Sequence, residues 1–277
     1  MNTAKLKQIL IKILLYFLLI LVAVYTAFPF YWSLITSFKT TEEVLRYPAT
    51  FFPETFTWDN YINIFQDMPW FSYIGNTLIT TFAITFGNMF FGCLSAYAFA
   101  KFKFRGKNIL LQVFYFSMMM PGIVMLIPQF IVTMTLGLLD SLFGVILPGC
   151  VGVYSMLFIR QFLLSTPKEI GEAAEIDGAG RFLVFTMYLR MILPGVATLG
   201  LFSFNGAWNA YLWPSIVLMD ERVWVLSIAL KNYSAYYTDN FGPLMAASII
   251  VIIPVLILFL ITQKFFVNNI TFTGLKL

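Results

Sequence analysis

An all-α integral membrane protein with six transmembrane helices is the fold class this chain predicts. Three observations predict it. The 277 residues are 60% hydrophobic and only 11% charged, with a mean hydropathy of +0.84, whereas soluble domains carry about 25% charged residues. Apolar stretches of the roughly 17–25 residues that span a bilayer fall near 12–36, 74–100, 108–133, 139–160, 186–213 and 243–263. Lys and Arg also segregate to alternate connections, as they do on the two sides of a membrane.

Residues 1–11 form a basic N-terminus, and 12–267 form the membrane domain. The first segment exceeds a signal-peptide core. It runs into Phe28-Pro29-Phe30-Tyr31-Trp32 without a small-residue cleavage site, so it reads as a retained helix with an aromatic interfacial end. The second carries Asn76, Thr77, Thr80, Thr81 and Asn88. The third is the least regular, because Pro121-Gly122 and Pro128 interrupt it; such breaks need neighbouring helices or a cavity to satisfy the freed backbone. Cys93 and Cys150 fall inside predicted helices and read as small apolar fillers. In the fifth, Asn205 and Asn209 lie four apart on one helical face, with Trp208 beside them and Tyr211 and Trp213 beyond. Uncharged amides and flat rings suit a sugar, whose hydroxyls need donors and acceptors and whose C–H faces pack on rings. The same groups also bond helix to helix in membrane proteins. A tail, 268–277, follows the sixth segment.

The N-terminus, the second and fourth loops and the tail hold thirteen basic residues and four acids, a balance of +9. The opposite side holds four basic residues and nine acids, a balance of −5. The positive-inside rule therefore places both termini in the cytoplasm, with 37–73 and 214–242 outside. The pI near 9.0 reflects this asymmetry and implies no nucleic-acid partner.

The chain has no histidine, which excludes His-based metal sites, triads and proton shuttles. It has no G-x-x-x-x-G-K-[ST] phosphate loop, and Arg105-Gly106-Lys107-Asn108 is a basic turn, so the chain does not hydrolyse ATP by itself. No nucleophile–base pair is evident either, and the expectation is a non-catalytic subunit. The helix interiors carry no ionisable residue; Asp140, Arg160, Arg190 and Lys264 sit at segment ends. Ion-coupled carriers mark their coupling pathway with such groups. Their absence suggests a neutral substrate and an energy source outside the membrane.

One polar stretch stands between long apolar segments. Residues 165–182 run from Ser165-Thr166-Pro167-Lys168-Glu169 through Glu172-Ala173-Ala174-Glu175-Ile176-Asp177-Gly178-Ala179. Ser or Thr can cap a helix, Pro fits its first turn, and acids suit its positive end. Two alanines let another protein approach closely, and Gly178 supplies a break before a second short helix. The stretch reads as a docking knob held outside the lipid.

It resembles the EAA loop of binding-protein-dependent ABC importer permeases, the segment that seats in a cleft of the ATPase subunit. The whole chain is similar to carbohydrate importer permeases of the maltose-permease G type. Phe56-Thr57-Trp58-Asp59-Asn60-Tyr61, Asn76-Thr77-Leu78 and Ser95-Ala96-Tyr97-Ala98-Phe99-Ala100 with its basic loop match that family. So do Trp208-Asn209, Leu244-Met245-Ala246-Ala247 and Gln263-Lys264-Phe265-Phe266-Val267. Two places depart from it: Tyr188 to Pro194 lacks the first proline of an expected Ile-x-Leu-Pro unit, and the tail is a looser version of a Gly/Ala/Lys-rich end.

The resemblance implies an ABC type I importer permease fold with a cytoplasmic EAA coupling helix, in the bacterial inner or plasma membrane. It implies a second permease subunit, two ATPase subunits and an extracytoplasmic solute-binding protein as partners. The substrate would be a neutral sugar, an oligosaccharide of the raffinose or multiple-sugar kind; no cofactor is bound by this chain, and ATP and Mg belong to the ATPases. Glu172 would meet a basic group on the ATPase, with Ala173 and Ala174 as the close-packing face and Asp177, Gly178 and Ala179 as the elbow. Asn205, Trp208, Asn209, Asn76 and Asn88 would line the substrate path. Tyr233, Tyr236 and Tyr237, in the external segment from Lys231 to Pro243, would contact the binding protein, the alternative being an aromatic interfacial belt. Importers of peptides or amino acids share an EAA loop and remain the alternative substrate class, followed by an ion-coupled carrier.

Overall fold

The computed structural model describes the backbone of residues 3–236 and 241–273, and the side chains of 7–235 and 241–261. The described residues form fourteen α-helices and two 3-10 turns, with no strand among them. Two compact units divide the chain: Met1–Pro69 with Leu230–Pro254, and Trp70–Ala229 with Val255–Leu277.

The first unit holds α1 (Thr3–Thr36), α2 (Thr41–Leu45) and α3 (Asp59–Asp67). With them go the end of α13 (Leu226–Tyr236) and the start of α14 (Phe241–Thr273). The connection after α1 is an ordered clasp. Phe56 stacks on Phe38 at 4.4 Å and Trp58 meets Phe38 edge-on at 5.0 Å. Asn60, buried, donates its amide to the carbonyls of Ser37 and Lys39 at 2.9 and 2.8 Å, and the Tyr61 hydroxyl bonds that of Ser37 at 2.9 Å. The Phe-Thr-Trp-Asp-Asn-Tyr run is thus a set of fasteners for the chain leaving α1.

Glu43 anchors the same clasp, accepting from the Thr50 hydroxyl at 2.5 Å and from the Glu54 amide at 3.0 Å. Burial alone raises its pKa. The bonds from Thr50, Glu54 and Thr55 and the Lys39 charge outweigh that and leave the carboxyl below its ordinary 4.5. A depressed folded pKa gives stability that is present above the unfolded value and lost as pH falls through the folded one. Acidification below the ordinary carboxylate range is therefore expected to open residues 41–58 to proteolysis, with Glu43→Gln showing a smaller acid-induced change. Equal acid sensitivity in both proteins counts against the clasp.

The second unit is built on α4 (Trp70–Lys101), followed by α5 (Lys107–Met119), α6 (Leu126–Thr135), α7 (Leu142–Gly149) and α8 (Val153–Ser165). Then come α9 (Glu169–Ile176), α10 (Arg181–Met191), α11 (Leu193–Trp208) and α12 (Leu212–Val217). Its core joins Ala96, Tyr97, Ile159, Leu163, Tyr188 and Leu199. Small residues let the helices approach: a Cβ on Gly87 would lie 2.6 Å from Cys150, and one on Gly92 would lie 3.0 Å from Ser155. Both cysteines are free, and Cys150 fills the space over Gly87.

Among the described residues, four helical stretches are long and apolar enough to cross a membrane: Lys7–Thr36, Trp70–Lys101, Leu142–Ser165 and Phe241–Ile261. Two bent pairs pass the same test of length and composition together, α5 with Gly122–Thr135 at 101° and α10 with α11 at 75°. The first bend has a simple cause: Met120 precedes Pro121, so its backbone is forced out of the α region, to ψ 128°. In the second, Pro194 stands in the first turn of α11, where its missing N–H costs nothing.

Two expected boundaries are corrected. The fifth segment is not one helix over 186–213; it breaks at Ile192, ends at Trp208 and is followed by the separate α12. The fourth begins at Leu142, pauses between Gly149 and Val153, and runs to Ser165 instead of stopping at 160. Among its described residues the segment 214–242, expected outside the membrane, holds the end of α12, the 3-10 turn Glu221–Val223 and α13.

Candidate functional site

The polar knob after α8 forms from local rules. Its helix, α9, starts at Glu169, after the proline, and Lys168 is its N-cap without a side-chain cap bond. The expected hydroxyl cap is absent: Ser165 and Thr166 donate back to the carbonyls of Phe162 and Leu163, each at 2.7 Å. The other end closes as a Schellman motif. Gly178 takes the left-handed φ of +82°, its amide donates to Glu175 O at 3.1 Å, and the Ala179 amide donates to Ala174 O at 2.9 Å. Asp177 is the C-cap.

The two alanines part company. A helix turns 100° per residue, so Ala173 is exposed while Ala174 is 6% exposed, in the chain's own core with Val184 and Tyr188. Ala174 is therefore not part of an outward close-packing face. What the knob does present is Glu172, Ala173 and Glu175, all exposed, together with Ile176, 86% exposed, and Phe182, 78% exposed. Ile176 and Phe182 carry a signal the sequence reading passed over: apolar residues on an otherwise polar loop.

Elements of α4 and α10 hold the knob in place. Lys101 ends α4 and donates its ammonium to Thr166 O and Oγ1 at 3.2 and 2.9 Å. The same ammonium sits over the Tyr188 ring, 4.1 Å from its centroid. A Cβ on Gly171 would lie 2.6 Å from the Tyr188 hydroxyl, so glycine lets α9 settle onto that ring.

A separate cleft of about 450 Å³ opens among α4, α6, α7, α8 and α11. Its polar lining is Asn88, Gln129, Tyr154, Ser155, Ser203 and Trp213, with no carboxylate, ammonium or guanidinium among its lining residues. Asn88 donates to Gly149 O and accepts from the Ser155 hydroxyl, both at 2.7 Å. Trp213 donates its indole N–H to Gly144 O at 3.1 Å. Tyr154 and Ser155 stand just past the break at Gly152, so a polar pair beside a helix interruption was the readable signal. The interruption expected at Pro128 is absent: Pro128 lies in the first turn of α6, followed by Gln129.

Of the expected path residues, only Asn88 lines this cleft. The cleft face of α11 is Phe202, Ser203, Gly206 and Ala207. Asn205 and Asn209 lie on the exposed face next to it and bond each other, Asn209 Nδ2 to Asn205 Oδ1 at 3.0 Å. Trp208 is 2% exposed and stacks on Phe204 at 5.6 Å, so its ring serves packing. Asn76 donates to the carbonyls of Arg222 and Trp224 at 3.2 and 3.0 Å, tying the 3-10 turn to α4. Thr77 adds to this by accepting from the Leu226 amide at 2.8 Å.

Tyr233, expected at a binding-protein contact, is fully buried in the first unit, its hydroxyl 3.4 Å from Asp67 Oδ2. A ring that large gains more from burial than from display. Tyr236 ends α13 and its side chain lies outside the described residues, as does Tyr237 altogether.

Asn209→Leu is expected to leave transport and solute preference near the parent's, because Asn209 lies outside the cleft and its amide bonds Asn205, so no solute hydrogen bond, worth on the order of 1 kcal/mol, is lost. Radiolabelled uptake against membrane abundance measures it. Loss of abundance together with uptake would assign the Asn205–Asn209 pair to helix packing.

Comparison with known proteins follows the same lines. The family model described as binding-protein-dependent transport system inner membrane component matches residues 88–271. The chain is 32% identical over 253 residues to the arabinooligosaccharides transport system permease protein AraQ of Bacillus subtilis, covering 90% of each chain. It is 32% identical to the diacetylchitobiose uptake system permease protein NgcG of Streptomyces coelicolor, covering 89% of this chain and 83% of that one. Among solved structures, a chain of a bacterial ABC transporter involved in the import of the acidic polysaccharide alginate superposes with a TM-score of 0.83 at 24% identity, covering 94% and 98%.

Proposed function

Because this chain belongs to the family of binding-protein-dependent transport system inner membrane components, we propose that it forms half of the translocation pathway for a neutral oligosaccharide. The observation that carries the substrate class is the cleft: amides, hydroxyls and rings line it, and no charged group does. Relatives named for arabinooligosaccharides and diacetylchitobiose support a sugar over a peptide or amino acid.

The partners are a second permease, two ATPase subunits that bind ATP and Mg, and an external solute-binding protein. The knob is the coupling element. Glu172 meets a basic group of the ATPase, Ala173, Ile176 and Phe182 supply the apolar contact, and the Gly178 turn sets the elbow. ATP-driven closure of the ATPases then moves α9 and opens the cleft outward. Nucleotide and loaded binding protein must both favour that state, since only differential affinity shifts a population.

The complex reconstituted in vesicles tests this. ATP hydrolysis and uptake should rise only with binding protein loaded with a neutral oligosaccharide. Stimulation by a peptide-loaded or amino-acid-loaded protein would overturn the substrate class.

Both termini are cytoplasmic in this reading. A cysteine at Asn232 should react with an impermeant maleimide in whole cells, and one at Glu175 only after permeabilisation. The reverse pattern would invert the topology.

A further inference from the structure

A second cleft, of about 360 Å³, lies between the end of α4 and the knob, and four lysines line it: Lys101, Lys103, Lys107 and Lys168. Among the described residues none of the four forms an ion pair. Lys101 is committed to Thr166, and Lys107 donates to the Phe102 carbonyl at 2.9 Å. Lys103 and Lys168 are exposed. Tyr97 and Tyr188 form part of its walls. Two carboxylates, Glu172 and Glu175, line the same hollow and offset part of the lysines' charge, so four cations against two anions leave it net positive and attractive to a further anion.

Its position names the anion. Lys101 is the last residue of an apolar span of 32 residues, so the hollow sits where hydrocarbon gives way to headgroups, on the side rich in Lys and Arg. Basic pockets among transmembrane helices at that level suit anionic headgroups. We propose that the cleft binds the phosphate of an anionic phospholipid of the phosphatidylglycerol class, with Lys103 and Lys168 as its outer contacts. Glu175 also lines the cleft and is an acceptor for headgroup hydroxyls that a bare phosphate lacks. Lys168 caps α9, so the bound lipid sets the footing of the knob. The site goes beyond the transport reading and is detectable without transport.

The test uses the purified complex, intact, and the variant Lys103→Gln/Lys168→Gln, which removes two cations without removing a hydrogen bond described here. Native mass spectrometry in the presence of phosphatidylglycerol should show the retained lipid falling at least three-fold in the variant, and Lys103→Arg/Lys168→Arg should restore it. In phosphatidylglycerol vesicles the parent's ATP hydrolysis should exceed the variant's, and in phosphatidylcholine vesicles the two should agree. Equal lipid retention in parent and variant would overturn the proposal. Displacement of the lipid by millimolar inorganic phosphate would make it a free-anion site instead. Loss of the ATPase subunits from the variant in both lipids would assign the lysines to an acidic segment of that partner.

Discussion

Glu172→Lys is expected to leave the chain inserted but to lower coupled uptake roughly tenfold or more. Reversing one charge of a docked pair both removes an attraction and leaves the partner's cation facing another, the combination that costs most at protein interfaces. Glu172 is exposed on α9, where its side chain supports no fold, so insertion and abundance should match the parent. Ile176→Glu is the companion variant, since a charge on a side chain 86% exposed harms the fold little and an apolar contact greatly. Co-purification of the ATPase and uptake per complex are the measurements. Parental uptake in both variants would remove the knob from the coupling role.

Gly144→Ala is expected to be among the most damaging single-methyl changes in the chain. The added Cβ would lie 2.3 Å from the Leu138 carbonyl oxygen and 2.8 Å from Val217 Cγ1. The first of these is backbone and cannot swing aside. Overpacking of this kind costs about 1–3 kcal/mol, a loss of several degrees in the thermal midpoint of the detergent-purified complex. The same change at Gly75, where nothing lies within 4 Å, should be neutral or slightly stabilising, because alanine is the better helix former. Equal midpoints for the two variants would mean that α7 shifts to accommodate the methyl.

The spans were legible because span length is a bulk property: about twenty apolar residues suffice, whatever they touch. Helix interruptions were legible where proline made them, as at Pro121, and were misjudged at Ile192, where the proline sits after the bend instead of at it. The knob was legible as a helix with a glycine end. Which of its alanines faces outward was not, because Ala173 and Ala174 are chemically alike and only the packing of Tyr188 and Val184 distinguishes them. Polar residues proved the hardest to place. Asn76, Asn88 and Asn209 look equivalent in sequence, yet their amides serve a turn, a cleft wall and a neighbouring side chain respectively. A side-chain amide fulfils its bonds with whatever carbonyl the fold brings near, and the fold is not local.

The bend between α10 and α11 has a mechanical meaning. Buried Ala174 fixes α9 to α10 through Val184 and Tyr188, and α10 passes through 75° into α11, whose Phe202, Ser203, Gly206 and Ala207 form a wall of the membrane cleft. Under the proposed cycle these three helices act as a bell crank. A displacement of the knob parallel to the bilayer surface is redirected at Ile192 into a tilt across it, and the wall swings without any helix having to unwind. Stiffness at that corner, more than affinity at the knob, would then set how faithfully closure of the ATPases is converted into an opening.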